Sequence, residues 1–172
     1  LDYLMELKNV RRGRLKEMAE AFDDVEYFEG QRAWNLPVNV DIALPCATQN
    51  ELDKEEAELL VSKGLYLVAE GANMPTTPEA IEVFHRAGVA FAPGKASNAG
   101  GVAVSGLEMS QNSLRYNWTR DEVDLKLKNI MKDIHKACVD YGSEGENVDY
   151  VKGANIAGFV KVADAMMDQG VV

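Results

Sequence analysis

At 172 residues and 47% hydrophobic content, the chain has the size and composition of one globular domain with a real core. No unbroken apolar stretch reaches membrane-spanning length, which argues against a membrane protein. A formal charge of -10 argues against a nucleic-acid partner, whose phosphates call for a basic face.

The chain opens at Leu1 directly in a helical pattern, without a basic-then-apolar leader, and is read as a piece of a longer protein. Apolar spacing over Leu1, Leu4, Met5, Leu7 and then Leu15, Met18, Ala19, Phe22 predicts one or two helices interrupted near Gly13. The basic cluster Arg11, Arg12, Arg14, Lys16 reads as a solvated helix face. Val25–Phe28 is expected as a short strand and residues 29–37 as a connecting loop. Val40–Leu44 is the first apolar run of a repeating pattern. After it, Asp53 with Glu56 forms a capping box that opens a helix stopping near Gly64. Leu65–Ala69 is the second run. Thr77 followed by Pro78 starts the next helix, which ends near Gly88, and Val89–Ala92 is the third run.

From about Gly101 the pattern is helical throughout. One helix is expected to reach Asn117. Thr119 and Glu122 form a second capping box, for a helix with Val123, Leu127, Ile130, Met131, Ile134, Cys138 and Tyr141 on one face. Residues 143–147 are a polar break. A last helix, roughly Tyr150 to Gln169, carries Gly153-Ala154-Asn155-Ile156-Ala157-Gly158, small residues that let it approach a neighbour closely. Two cysteines, Cys46 and Cys138, lie far apart without metal-ligand spacing, so no disulfide framework and no metal site are expected and a reducing, cytoplasmic compartment fits.

Alternating strands and helices with short connections predict an α/β fold with a parallel sheet and right-handed crossovers. Each of the three apolar runs gives way to small, polar and Gly/Pro-rich residues at its C-terminal end. Ligands of open parallel sheets bind outside the carboxyl ends of the strands, so these junctions are expected to line one wall of a ligand site.

Four segments in this order resemble the hexameric bacterial NAD(P)-dependent glutamate dehydrogenases. They are Pro45-Cys46-Ala47-Thr48-Gln49-Asn50-Glu51-Leu52, Ala69-Glu70-Gly71-Ala72-Asn73-Met74-Pro75-Thr76-Thr77, Asn98 to Met109, and Gly153 to Phe159. The ending at Met166–Val172 also resembles the C-terminus of that family. The resemblance implies a C-terminal fragment carrying the second half of a Rossmann-like, doubly wound sheet. Residues 1–117 would be a partial dinucleotide-binding domain, and 118–172 C-terminal helices leading back to an absent substrate domain. It further implies reversible oxidative deamination of L-glutamate to 2-oxoglutarate and ammonia with NAD or NADP, in a homo-hexamer. The catalytic lysines, the acid/base aspartate and the glycine-rich phosphate loop of the family lie outside this chain, so the fragment alone is expected to be inactive. No Gly-x-Gly-x-x-Gly stands between a strand and a helix here. The strand over Val40–Leu44 would then miss its neighbour, and its bare edge is expected to recruit Val25–Phe28 or a second copy in a non-native dimer.

By the same resemblance, coenzyme-binding residues are Ala47, Thr48, Gly71 and Asn73, and substrate-binding residues are Ser105 and Val102. The Asn73 carboxamide offers a donor and an acceptor, suited to a ribose hydroxyl or a nicotinamide amide. Gly71 permits close backbone approach, Ala47 leaves room, and the Thr48 hydroxyl can bond to a dinucleotide. Ser105 lies in the first turns of a helix and its hydroxyl would hold the side-chain carboxylate of glutamate, with Val102 three residues earlier on the same face. An isolated helical serine more often bonds back to its own backbone.

Lys95 reads as a solvated loop lysine, His85 and His135 as helix residues without triad partners, Cys46 as a buried structural thiol, and Asp164 and Asp168 as surface charges. Two alternatives stand beside the main reading. One is a leucine- or phenylalanine-type dehydrogenase, against which Ser105 speaks because a hydroxyl gives nothing to an apolar side chain. The other is a non-catalytic nucleotide-binding module.

Overall fold

In the computed structural model, which describes residues 1–145 and 147–170, three short strands lie side by side in the order β1, β2, β3. They are Ile42–Ala43, Leu67–Ala69 and Ala90–Ala92, and both pairings are parallel. Ala43 faces Val68 and Val68 faces Phe91 in register, and all three are buried. The α/β architecture and parallel sheet expected from the alternation are therefore present, with strands shorter than the apolar runs that announce them. β1 forms one edge of this sheet.

The crossover helices begin where their local chemistry predicts. Asp53 caps α3 (Lys54–Ser62) by accepting the Glu56 N–H at 3.0 Å, while the Glu56 side chain accepts the Asp53 N–H at 3.1 Å. Thr77 caps α4 (Pro78–Arg86), with proline at the first turn, where its missing N–H has no helical partner to lose. Gly64 and Gly88 end these helices at φ +93° and +71°, a region that costs glycine little and other residues more. α3 packs on α4, and the core between helices and sheet holds Ala57, Leu60, Val68, Val83, Phe84 and Phe91. The Phe84 and Phe91 rings stack at 6.2 Å.

After β3 the chain makes a one-turn helix, α5 (Gly94–Ser97), before α6 (Gly100–Leu114). α6 stops three residues short of the expected Asn117 because Arg115 turns left-handed at φ 54°. Thr119 and Glu122 close the second capping box at the start of α7 (Arg120–Gly142). The backbone N–H and hydroxyl of Thr119 both donate to the Glu122 carboxylate and hold its carboxyl below the usual range. Along α7 the predicted apolar face is half-buried or buried from Val123 to Cys138, whereas Tyr141 is exposed.

Residues 143–147, expected as a plain polar break, instead begin an antiparallel hairpin of β4 (Ser143–Glu144) and β5 (Asn147–Val148); Glu146 lies outside the described residues. α8 (Tyr150–Gln169) follows, capped by Asp149, and packs on α7 and on β3. The last two residues of the Met166–Val172 motif lie outside the described residues. No helix among the described residues is long and apolar enough to cross a membrane.

The chain divides into two compact units, Leu1–Pro37 and Val38–Val172. The first contains α1 (Asp2–Met5), which runs on through a π-helical turn to Val10, and α2 (Lys16–Ala21). Their separation near Gly13 agrees with the sequence pattern. Tyr3 meets Phe22 edge-on at 5.0 Å, and Arg11 pairs with Glu17 at 3.0 Å. Val25–Phe28 forms no strand, which corrects the expectation. Its β-branched and aromatic residues favour a strand only when a neighbouring strand satisfies their backbone.

Candidate functional site

The loops that follow β1, β2 and β3 are laced together by hydrogen bonds. The Pro45 carbonyl accepts the N–H groups of Gly71 at 2.9 Å and Ala72 at 3.0 Å. Further along, the Asn50 N–H donates to Met74 O at 3.0 Å, Leu52 N–H to Pro75 O at 3.0 Å, and Thr77 N–H to Leu52 O at 3.0 Å. Asn50 and Met74 both adopt left-handed backbone, at φ 53° and 54°. Asparagine tolerates that region, but for methionine it is a strain held by the surrounding bonds.

The second and third loops are joined by side chains. The buried Glu70 carboxylate accepts the Gly94 N–H at 2.6 Å and the Thr76 N–H at 3.3 Å. The Ser97 hydroxyl donates to the Glu70 carbonyl at 2.5 Å, and Asn98 Nδ2 donates to Ala72 O at 3.1 Å and to Asn73 Oδ1 at 2.8 Å. Three loops thus meet at the carboxyl ends of adjacent parallel strands, the arrangement that forms ligand crevices in open α/β sheets.

Thr48 and Asn73 are exposed on these linked loops. Asn73 gives its carboxamide oxygen to Asn98, and its NH2 group has no partner among the described residues, so it is available to an acceptor. Ala47 is exposed, and its N–H donates to Glu51 Oε1 at 2.8 Å. Gly71 has a packing reason of its own, because a Cβ there would lie 2.4 Å from Cys46 Sγ.

Ser105 and Val102 lie on α6, the helix that follows the third loop. Both are exposed on α6, and Ser105 begins about 7 Å along the helix axis from Gly100. The Ser105 hydroxyl donates to Gly101 O at 3.3 Å, the back-bond common for helical serines. That contact is long for a hydroxyl donor. No hydrogen bond ties Ser105 to the three loops among the described residues.

Glu70 and Asn98 are site-building residues that sequence reasoning left unremarked inside their motifs. An acid directly after a buried strand, with glycine next to it, was the available signal. Lys95 is not simply solvated, since its ammonium donates to the Asn155 carboxamide oxygen on α8. His85 meets Phe91 edge-on at 6.0 Å and His135 stacks on Tyr150 at 5.6 Å, both packing roles. Asp164 and Asp168 are exposed.

Cys46 is exposed, which corrects the expectation of a buried thiol, whereas Cys138 is 3% exposed and burial pushes its thiol up. Alkylation with iodoacetamide near pH 8 is therefore expected to modify Cys46 in the native protein and both thiols only after denaturation. Intact mass measured before and after urea checks this, and native double labelling would contradict the burial of Cys138.

A family model described as glutamate/leucine/phenylalanine/valine dehydrogenase matches residues 1–170. The chain is 62% identical over 169 residues to the NADP-specific glutamate dehydrogenase of Escherichia coli (strain K12), covering 98% of this chain and 37% of that protein. It is 59% identical over 172 residues to the NAD(P)-specific glutamate dehydrogenase of Xylanibacter ruminicola, covering 99% and 38%. Among solved structures it resembles glutamate dehydrogenase 2 of Plasmodium falciparum with a TM-score of 0.90 at 48% identity, covering 98% of this chain and 37% of that one. The chain spans a little over a third of the length of these relatives.

Proposed function

The chain belongs to the glutamate/leucine/phenylalanine/valine dehydrogenase family, and on that premise we propose that it forms the coenzyme-side portion of a longer enzyme that oxidatively deaminates L-glutamate to 2-oxoglutarate and ammonia. NAD or NADP accepts the hydride in this reading. The observation that carries it is the meeting of three β-α loops around an Asn73 amide whose NH2 has no partner among the described residues.

The residues suit the nicotinamide end of a dinucleotide. Thr48 offers a hydroxyl and Asn73 a donor, on loops whose small residues leave space. No Gly-x-Gly-x-x-Gly loop stands in the sequence, and in this reading the pyrophosphate is held by residues elsewhere in the longer protein. Bound there, the nicotinamide supplies the hydride chemistry. The chain's own contribution is to seat it and, through Ser105 and Val102 on α6, to seat the amino acid side chain. The division at residues 117 and 118, the homo-hexameric assembly and the cytoplasmic setting belong to the same reading. The β1 edge supports the expected pairing of two copies when the chain is by itself.

Glutamate is favoured over leucine or phenylalanine by the names of the relatives near 60% identity and by the hydroxyl of Ser105. Steady-state turnover of the longer enzyme on glutamate and on leucine, with and without Ser105→Ala and with this chain alone as the inactive control, tests the assignment. A lost hydrogen bond to a carboxylate is worth about 2 kcal/mol, so kcat/KM for glutamate is expected to fall about thirtyfold while any leucine activity is unchanged. An unaltered kcat/KM for glutamate removes Ser105 from the site. Wild-type preference for leucine removes glutamate as the substrate.

A further inference from the structure

Glu70 is 5% exposed, and no cationic side chain pairs with it among the described residues. Burying a lone carboxylate is costly unless donors surround it. Here each oxygen takes a backbone N–H, Oε2 from Gly94 and Oε1 from Thr76. The backbone of Glu70 is engaged as well, its N–H by Ala92 O at 3.1 Å and its carbonyl by the Ser97 hydroxyl. One residue thereby joins both feet of the arch 71–75 to the first turn after β3. The approach is tight enough that a Cβ on Gly94 would lie 2.8 Å from Ala72 O and 3.3 Å from Glu70 Oε2.

Asn73 rides on that arch. Its carboxamide oxygen is fixed by Asn98, which also holds Ala72 O, so the arch has an outer tie at Asn98 and an inner one at Glu70. We infer that Glu70 is a positioning residue for coenzyme binding: its carboxylate sets the arch 71–75 against the β3 loop and so presents the Asn73 amide to the nicotinamide end of the coenzyme. The inference rests on the proposed coenzyme role of this cleft. An acid is required because two N–H donors converge on one side chain. Glutamine brings one acceptor oxygen, and its NH2 then faces a second donor.

The test uses the longer enzyme with Glu70→Gln, and Glu70→Asp as the variant that keeps the charge but loses reach. NADPH binding is followed by fluorescence titration, KM for glutamate by steady-state kinetics, and backbone exchange by mass spectrometry over segments 70–77 and 93–99. Glu70→Gln is expected to weaken coenzyme binding about tenfold and to speed exchange in those two segments, with little change in KM for glutamate. Coenzyme affinity equal to wild type, whatever the melting temperature does, overturns the role of Glu70 and leaves the proposed function standing. A purely structural role also prevails if neither variant folds, or if both lose glutamate and coenzyme affinity alike. Wild-type enzyme that binds no NADPH overturns the functional reading itself, and the inference with it.

Discussion

Replacing Gly153 with alanine is expected to destabilise the protein by about 3 kcal/mol, the upper end of what overpacking costs. A Cβ at Gly153 would sit 2.0 Å from the Cys138 carbonyl oxygen, 2.8 Å from its carbon and 3.0 Å from its Cα. These are backbone atoms in the last two turns of α7, which cannot rotate aside as a side chain can. The contact is reciprocal, since a Cβ at Gly142 would lie 2.2 Å from Asp149 O and 3.2 Å from Gly153 Cα. The two helices therefore touch backbone to backbone, and an added methyl must push α8 away from α7 and loosen its seat on β3. Gly158 is the internal control, on the same helix with nothing beyond its own helix backbone within 4 Å of its missing Cβ among the described residues. Gly158→Ala is expected to be neutral or to stabilise by up to about 1 kcal/mol through helix propensity. Urea unfolding of the three proteins decides the matter, and a Gly153→Ala midpoint equal to that of wild type would falsify the close crossing.

Gly71→Ala is expected to cost about 2 kcal/mol for a different reason, one that a second substitution repairs. The obstacle is Cys46 Sγ at 2.4 Å, with Cys46 Cβ beyond it at 3.4 Å. Gly71 also donates to Pro45 O, so its backbone cannot retreat without breaking the tie between the first two loops. Cys46→Ala removes the sulfur and leaves only ordinary contact. Because the thiol is exposed, that change alone is expected to cost well under 1 kcal/mol. Combined, the two substitutions are expected to recover most of the loss, a coupling of about 1 to 2 kcal/mol in a double-mutant cycle. Additive effects in the cycle would mean that the missing side chain at Gly71 answers to something other than Cys46.

The features legible in the sequence were those set by neighbours in the chain. The capping boxes at Asp53 and Thr119, the proline start at Pro78 and the stops at Gly64 and Gly88 each depend on three or four consecutive residues, and all occur where expected. The three-strand parallel sheet was legible because buried parallel strands read as short apolar runs between turn signals. Val25–Phe28 carries the same local signal and is no strand, since pairing depends on a partner that composition does not reveal. The hairpin at residues 143–148 escaped for the opposite reason, having two-residue strands without an alternating pattern.

At the candidate site, the junctions after the strands pointed to the loops that meet. They did not show what binds the loops together. Glu70 reaches Gly94 across 24 positions in the chain, and Asn98 reaches Asn73 across 25. Contacts of that separation exist only once the crossover from β2 through α4 to β3 has folded. Ser105 illustrates the converse, because its bond to Gly101 O is local and was foreseeable for any helical serine.

The ties between the first two loops, from Gly71, Ala72, Asn50, Leu52 and Thr77, run from one main-chain amide to one main-chain carbonyl. Any residue except an imino acid supplies such a donor. Over evolutionary time the identities of these residues are free to drift, provided their bulk is respected, while the joint between the first two loops is inherited unchanged. Divergence in what such a crevice accepts can then accumulate on its rim without first dismantling its frame.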